Sequence, residues 1–186
     1  MAASDPMSAA PALVVLVGPQ ASGTSTIAAA LADDLRGAGE QLALVALDAI
    51  AAMALPTLPD WSAVSGIFET VTARWLQAGC SCVIAEGAGS ATESGRLREQ
   101  AGPGVAVVVV AVTASFETAY ARASADATRG ISRRFDFLQD VYARWPDELR
   151  RVGADLVLDT EESTVEASVA AVRAALAVAR QTVARG

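Results

Sequence analysis

The chain has 186 residues, enough for one domain with a sizeable buried core, and its 53% hydrophobic, 19% charged composition is that of a globular protein. All 14 basic residues are arginine; lysine, asparagine and histidine do not occur, which excludes a Ser-His-Asp triad, a Cys-His pair and a histidine-bound zinc. A net charge of −7 argues against a surface for nucleic acid or anionic lipid, although a small anion could still be held by a few gathered arginines.

Residues 1–11 are small, polar and proline-bearing, and read as a loose leader before a domain over 12–186. They lack the basic start of a signal peptide, and the apolar run that follows is too short to span a membrane, so a cytoplasmic protein is expected. Residues 12–17 read as a buried strand, and an alanine-rich helix is predicted over 26–36. Between them lies Gly18-Pro19-Gln20-Ala21-Ser22-Gly23-Thr24-Ser25, one residue short of the phosphate-binding pattern Gly-x4-Gly-Lys-[Ser/Thr]. A strand, a glycine turn and a helix start together aim backbone N–H groups at an anion. Gly18, Ala21, Ser22, Gly23, Thr24, Ser25 and Thr26 are therefore the candidate phosphate-binding residues, with Ser25 at the position whose hydroxyl takes magnesium. Thr24 stands where lysine is required. A threonine is too short to reach β- and γ-phosphates and carries no charge, a loss of about 3–4 kcal/mol of transition-state stabilisation unless another cation offsets it.

A second apolar run, 42–47, ends at Asp48, which suits either a general base or magnesium-orienting group or, more blandly, the N-cap of a helix over 49–54. Residues 62–77 show helical spacing (Val64, Ile67, Phe68, Val71, Trp75) with Gly79 as the stop. Trp61 and Phe68 are candidates for a pocket wall or for core. Cys80 and Cys82, two apart, are too close for an ordinary disulfide and read as small residues entering a third strand, 82–85. That strand ends at Glu86-Gly87, where a carboxylate can hold magnesium as in a Walker-B-like element or simply solvate the strand end. Four consecutive valines mark a fourth strand over 105–112. A helix over 115–127 has Ser115 as N-cap, and Arg129, Arg133 and Arg134 crowd the loop Arg129-Gly130-Ile131-Ser132-Arg133-Arg134. Such a loop can close over polyphosphate and supply the charge that Thr24 lacks, or it is a solvated helix start. Arg122 is a weaker member of this group. A helix over 135–144, a short fifth strand over 156–158 and a long helix over 161–185 complete the chain; Asp159-Thr160 is a candidate border of a base pocket, while the acidic stretch Asp159–Glu162 equally fits the start of the final helix. Five continuous apolar strands alternating with helices indicate a parallel sheet covered on both faces, with ligands at the carboxyl ends of its strands.

Taken together, GPQASGTS, Asp48, IAEG at 84–87, RGISRR and ADLVLDT at 154–160 resemble the P-loop small-molecule kinases, nearest the chloramphenicol phosphotransferase-like and AAA_33-type enzymes and more distantly shikimate and adenylylsulfate kinases. The resemblance implies a three-layer α/β/α P-loop NTPase fold with a five-stranded parallel sheet ordered 2-3-1-4-5, ATP and Mg2+ as cofactors, and phosphoryl transfer to a small hydroxylated acceptor. It casts Asp48 as general base, Ser25 as the magnesium ligand and the 129–134 arginines as the lid. The chain departs from that pattern at Thr24. Three readings follow: a phosphotransferase in which arginine replaces the lysine, a nucleotide-binding sensor or partner subunit with weakened catalysis, and an interaction protein that has kept only the fold.

Overall fold

The computed structural model describes residues 9–58, 60–87 and 89–185. Residues 1–8 of the expected leader lie outside the described residues. Five strands, β1 (Ala12–Val17), β2 (Leu42–Ala46), β3 (Cys82–Glu86), β4 (Ala106–Thr113) and β5 (Leu156–Asp159), form one parallel sheet in the order β2-β3-β1-β4-β5. That is the order the resemblance implied.

Each β1 residue is fully buried, because alternate side chains enter two different cores. Ala12, Val14 and Leu16 face α1 (Thr24–Gly37) and α7 (Val165–Arg185) through Ile27, Leu31, Val172 and Leu176. Leu13, Val15 and Val17 face the opposite layer, where Val64 and Phe68 of α3 (Trp61–Gln77), Leu97 of α4 (Ala91–Ala101) and Trp145 of α6 (Phe135–Val152) pack. The short α2 (Leu47–Ala52) follows β2, and α5 (Phe116–Ala125) follows β4.

Local rules account for most boundaries. Ser115 caps α5 as expected, accepting from the Thr118 N–H at 3.2 Å. Asp60 caps α3 by accepting from the Ala63 N–H at 2.7 Å. Four elements differ from expectation. Helix α1 begins at Thr24, two residues early, because Gly23 at φ 110° already serves as its N-cap. Helix α6 runs on through Pro146 to Val152: the apolar face that includes Trp145, Leu149 and Val152 is buried, and that packing outweighs the proline's missing N–H. Helix α7 starts at Val165 rather than 161, because Glu161 is drawn off to α5, where it accepts from Ser115 Oγ at 3.0 Å and Thr118 Oγ1 at 2.6 Å. Helix α4 was missed altogether, although Ser90-Ala91-Thr92-Glu93 has the spacing of a capping box, and Ser90 Oγ accepts from the Glu93 N–H at 3.4 Å.

Away from the ligand rim, Arg180 of α7 donates to Glu40 Oε2 at 3.0 Å and to the Ser81 carbonyl at 2.9 Å, clamping the entry to β2 against the entry to β3. Burial alone would raise the Glu40 carboxyl, but the Arg180 and Ser81 hydrogen bonds and the Arg180 charge hold it below its ordinary value. Cys82 is buried and its thiol is pushed up to about 12, so it packs as a small apolar residue. Among the described residues, no helix is long and apolar enough to cross a membrane.

Candidate active site

The sheet places the ends of β1, β2 and β3 side by side. Leu16 is level with Glu86 on β3, and Ala46 is level with Glu86 from the other side. The loop after β1, Asp48 after β2 and the end of β3 therefore share one rim, the position at which parallel sheets hold ligands.

The 18–25 loop is built by its own small residues. Ala21 (φ 65°) and Gly23 (φ 110°) are both left-handed, curling the chain in the manner that lets successive N–H groups converge. The Ser22 N–H closes a turn on the Pro19 carbonyl at 3.1 Å. Gly18 must be glycine: a Cβ there would meet the Val112 carbonyl at 2.4 Å, Ser22 Oγ at 2.7 Å and Thr24 Oγ1 at 2.8 Å. Those two hydroxyls, both buried, hydrogen-bond to each other at 3.0 Å. Thr24 thus turns its hydroxyl onto the floor of the loop beside Gly18.

Beyond the loop, the start of α1 carries neither a side-chain cap nor an acidic residue; α2 and α6 also lack a side-chain cap, but Asp48 and Asp136 stand in their first turns. Helices α3, α4 and α5 each have a side-chain cap, from Asp60, Ser90 and Ser115. No side chain caps the first N–H groups of α1, and the positive end of a 14-residue helix lies behind them. Thr26 lies in that first turn.

Ser25 projects from the same turn and donates to Glu86 Oε1. Burial raises the Glu86 carboxyl above its ordinary value; the Ser25 bond pulls it down and the Asp48 charge pushes it up again. Asp48 is thus near enough for its charge to act on Glu86. It sits exposed in the first turn of α2, whose N-cap is Ala46, so its side chain does not cap the helix. Glu93 is a third carboxylate at this edge, which sequence reasoning missed. It is 2% exposed, and its Oε1 lies 2.1 Å from where a Cβ on Gly87 would be. Gly87 is therefore required by a neighbouring helix.

The arginines fall into two groups. Arg129 pairs with Asp126 at 3.3 Å, while Arg133, in a 3-10 turn (Ile131–Arg133), and Arg134, the N-cap of α6, are exposed and form no ion pair among the described residues. Arg122 is docked on the loop itself. Its Nη1 donates to the Ser22 carbonyl at 3.1 Å and to Thr160 Oγ1 at 2.8 Å. Tyr142 of α6 adds a further tie, donating to the Gln20 carbonyl at 3.2 Å. Of the two candidate wall aromatics, Phe68 is fully buried core, whereas Trp61 is 58% exposed and follows a stretch in which Met53 and Leu55 are exposed too.

No protein-family model matches the sequence, and no curated protein is detectably similar to it. Solved structures are similar. A candidate kinase from Chloroflexus aurantiacus superposes with a TM-score of 0.67 at 22% identity over 92% of this chain and 99% of that one. Shikimate kinase from Acinetobacter baumannii gives 0.62 at 20% identity over 88% and 91%. A gluconokinase from Sinorhizobium meliloti gives 0.61 at 16% identity over 92% and 95%. With its strand order, its two helical layers and the glycine loop leaving the central strand, the chain has the fold of the P-loop small-molecule kinases.

Proposed function

We propose that the protein is a magnesium- and ATP-dependent phosphotransferase acting on a small hydroxylated molecule. The observation that carries this reading is the start of α1: a left-handed glycine loop opens a helix with neither a side-chain cap nor an acidic first turn, and its Ser25 hydroxyl meets Glu86 at the end of β3. An uncapped helix start suits a polyphosphate, and Ser25 with Glu86 forms an oxygen donor set of the kind magnesium takes, so the residues fit both groups.

In this reading the N–H groups of 21–26 hold phosphate, and Ser25 and Glu86 hold the metal. Bound Mg-ATP would supply the transferable phosphoryl group together with charge neutralisation. Asp48, exposed on the rim, takes the acceptor hydroxyl's proton, and the Arg129, Arg133 and Arg134 segment closes over the site. The segment after Asp48 exposes Met53, Leu55 and Trp61, and in this reading it offers the acceptor an apolar surface. The fold's relatives favour this reading over an interaction protein.

Thermal unfolding with and without Mg-ADP tests it, since a ligand bound only by the native state raises the midpoint; at about 100 times Kd the gain is about 2.7 kcal/mol. No shift at millimolar Mg-ADP would overturn the reading. A second reading, a nucleotide sensor with weakened catalysis, is favoured by Thr24, whose buried hydroxyl puts no charge in the loop. It predicts the same midpoint shift without turnover of ATP across small hydroxylated molecules.

A further inference from the structure

The outer side of the 18–25 loop is held by a closed triangle of hydrogen bonds. The Ser22 carbonyl accepts from Thr160 Oγ1 at 2.7 Å and from Arg122 Nη1 at 3.1 Å, and Arg122 Nη1 also reaches Thr160 Oγ1 at 2.8 Å. Arg122 Nη2 donates to the Thr160 carbonyl at 3.3 Å. Thr160 is itself fixed, its N–H on the Thr113 carbonyl at 3.0 Å and its methyl 3.1 Å from where a Cβ on Gly23 would be. Two elements remote in sequence, α5 and the turn after β5, therefore converge on one peptide of the loop.

That peptide links Ser22 to Gly23. In a trans peptide the C=O and the following N–H point in opposite directions. Holding the Ser22 carbonyl on the outside thus turns the Gly23 N–H away from Arg122, towards the concave side. A guanidinium on the carbonyl also polarises the peptide, making its N–H a stronger donor to an anion. Arg122 forms no ion pair among the described residues; Glu161, which senses its charge, is occupied by Ser115 and Thr118. By contrast Arg129 is paired with Asp126, and Arg133 and Arg134 stand exposed.

We propose that Arg122 and Thr160 are the positioning pair of this loop, and that Arg122 supplies from its outer side the positive charge that Thr24 does not. This inference rests on the reading of the loop as a polyphosphate site, and it makes a cation docked on the backbone, rather than the exposed lid arginines, the main replacement for the lysine.

The test is calorimetric binding of pyrophosphate, Mg-ADP and adenosine to wild type, Arg122→Gln, Arg122→Lys, Thr160→Val and Thr160→Ser. Gln retains donors without the charge. Arg122→Gln is expected to weaken pyrophosphate and Mg-ADP by about 10- to 100-fold, the loss of a charged hydrogen bond, and to leave adenosine unchanged. Arg122→Lys recovers most of the loss, and the salt dependence of pyrophosphate binding falls in Arg122→Gln but not in Arg122→Lys. Thr160→Val weakens both anions by about tenfold and Thr160→Ser does not, which keeps the test decisive if Arg122→Gln fails to fold. Wild-type pyrophosphate affinity in both Arg122→Gln and Thr160→Val, or equal losses for adenosine and Mg-ADP, overturns the inference and leaves the kinase reading standing. Failure of wild type to bind either anion removes the underlying reading instead.

Discussion

Replacing Thr24 separates a structural hydroxyl from a missing cation. Thr24 is 9% exposed, and its Oγ1 lies 3.0 Å from Ser22 Oγ on a residue with no exposed surface. Thr24→Val preserves the volume and strands the Ser22 hydroxyl, a cost of about 1–3 kcal/mol for a buried polar group left without that partner. Thr24→Lys suffers the same loss and adds an ammonium group. Were the native loop simply short of its cation, that ammonium would return about 3–4 kcal/mol in the transition state, roughly a hundred- to thousandfold in turnover. Because Arg122 already bears on the Ser22 carbonyl at 3.1 Å, the expected gain is smaller, below about tenfold. ATP hydrolysis, which requires no known acceptor, measures the gain, and urea unfolding at unchanged m-value measures the cost. A hundredfold rise in hydrolysis by Thr24→Lys would refute the argument from Arg122. Undiminished stability in Thr24→Val would refute the structural role of the hydroxyl pair.

Gly18→Ala drives a Cβ against the Val112 backbone carbonyl at 2.4 Å, so the β1–β4 junction must shift; a loss of about 1–3 kcal/mol in urea unfolding, with loss of Mg-ADP-induced stabilisation, is expected. Glu86 carries a raised pKa, chiefly from burial, so the folded state holds its proton where the unfolded chain, near 4.5, has released it. Stability from this group is therefore greatest at low pH and falls as pH rises from 4.5 through the raised value; Glu86→Gln should flatten that fall in metal-free thermal scans, and a curve parallel to wild type would contradict the assignment. Arg180→Ala leaves Glu40 without its cation at a site where both side chains are 14% exposed, and should cost about 3 kcal/mol in urea unfolding. Because that pair lies at the rim opposite the loop, the Mg-ADP midpoint shift should persist, and its loss would show that the two rims are coupled.

Periodicity and spacing made the strands and the glycine loop legible, since these depend on neighbours in sequence: buried strands read as apolar runs, and a phosphate loop needs glycine at fixed offsets; the strand order came only from the family resemblance. Asp48 and Glu86 were visible as carboxylates closing strands, and parallel register alone brings them to one rim. The boundaries that failed were those decided by contacts across the fold. Glu161 left the last helix for hydroxyls on α5, and α6 passed Pro146 because its apolar face was buried. Chain order also drew attention to the densest arginine cluster, Arg129 to Arg134, whereas the arginine placed on the loop is the solitary Arg122, 100 residues from the Ser22 carbonyl it holds. Composition determined that no lysine could serve here; which arginine docks on the 18–25 loop was decided only where α5 and the β5 turn met it, because a guanidinium's partners are set by packing in three dimensions and leave no period or spacing in the chain.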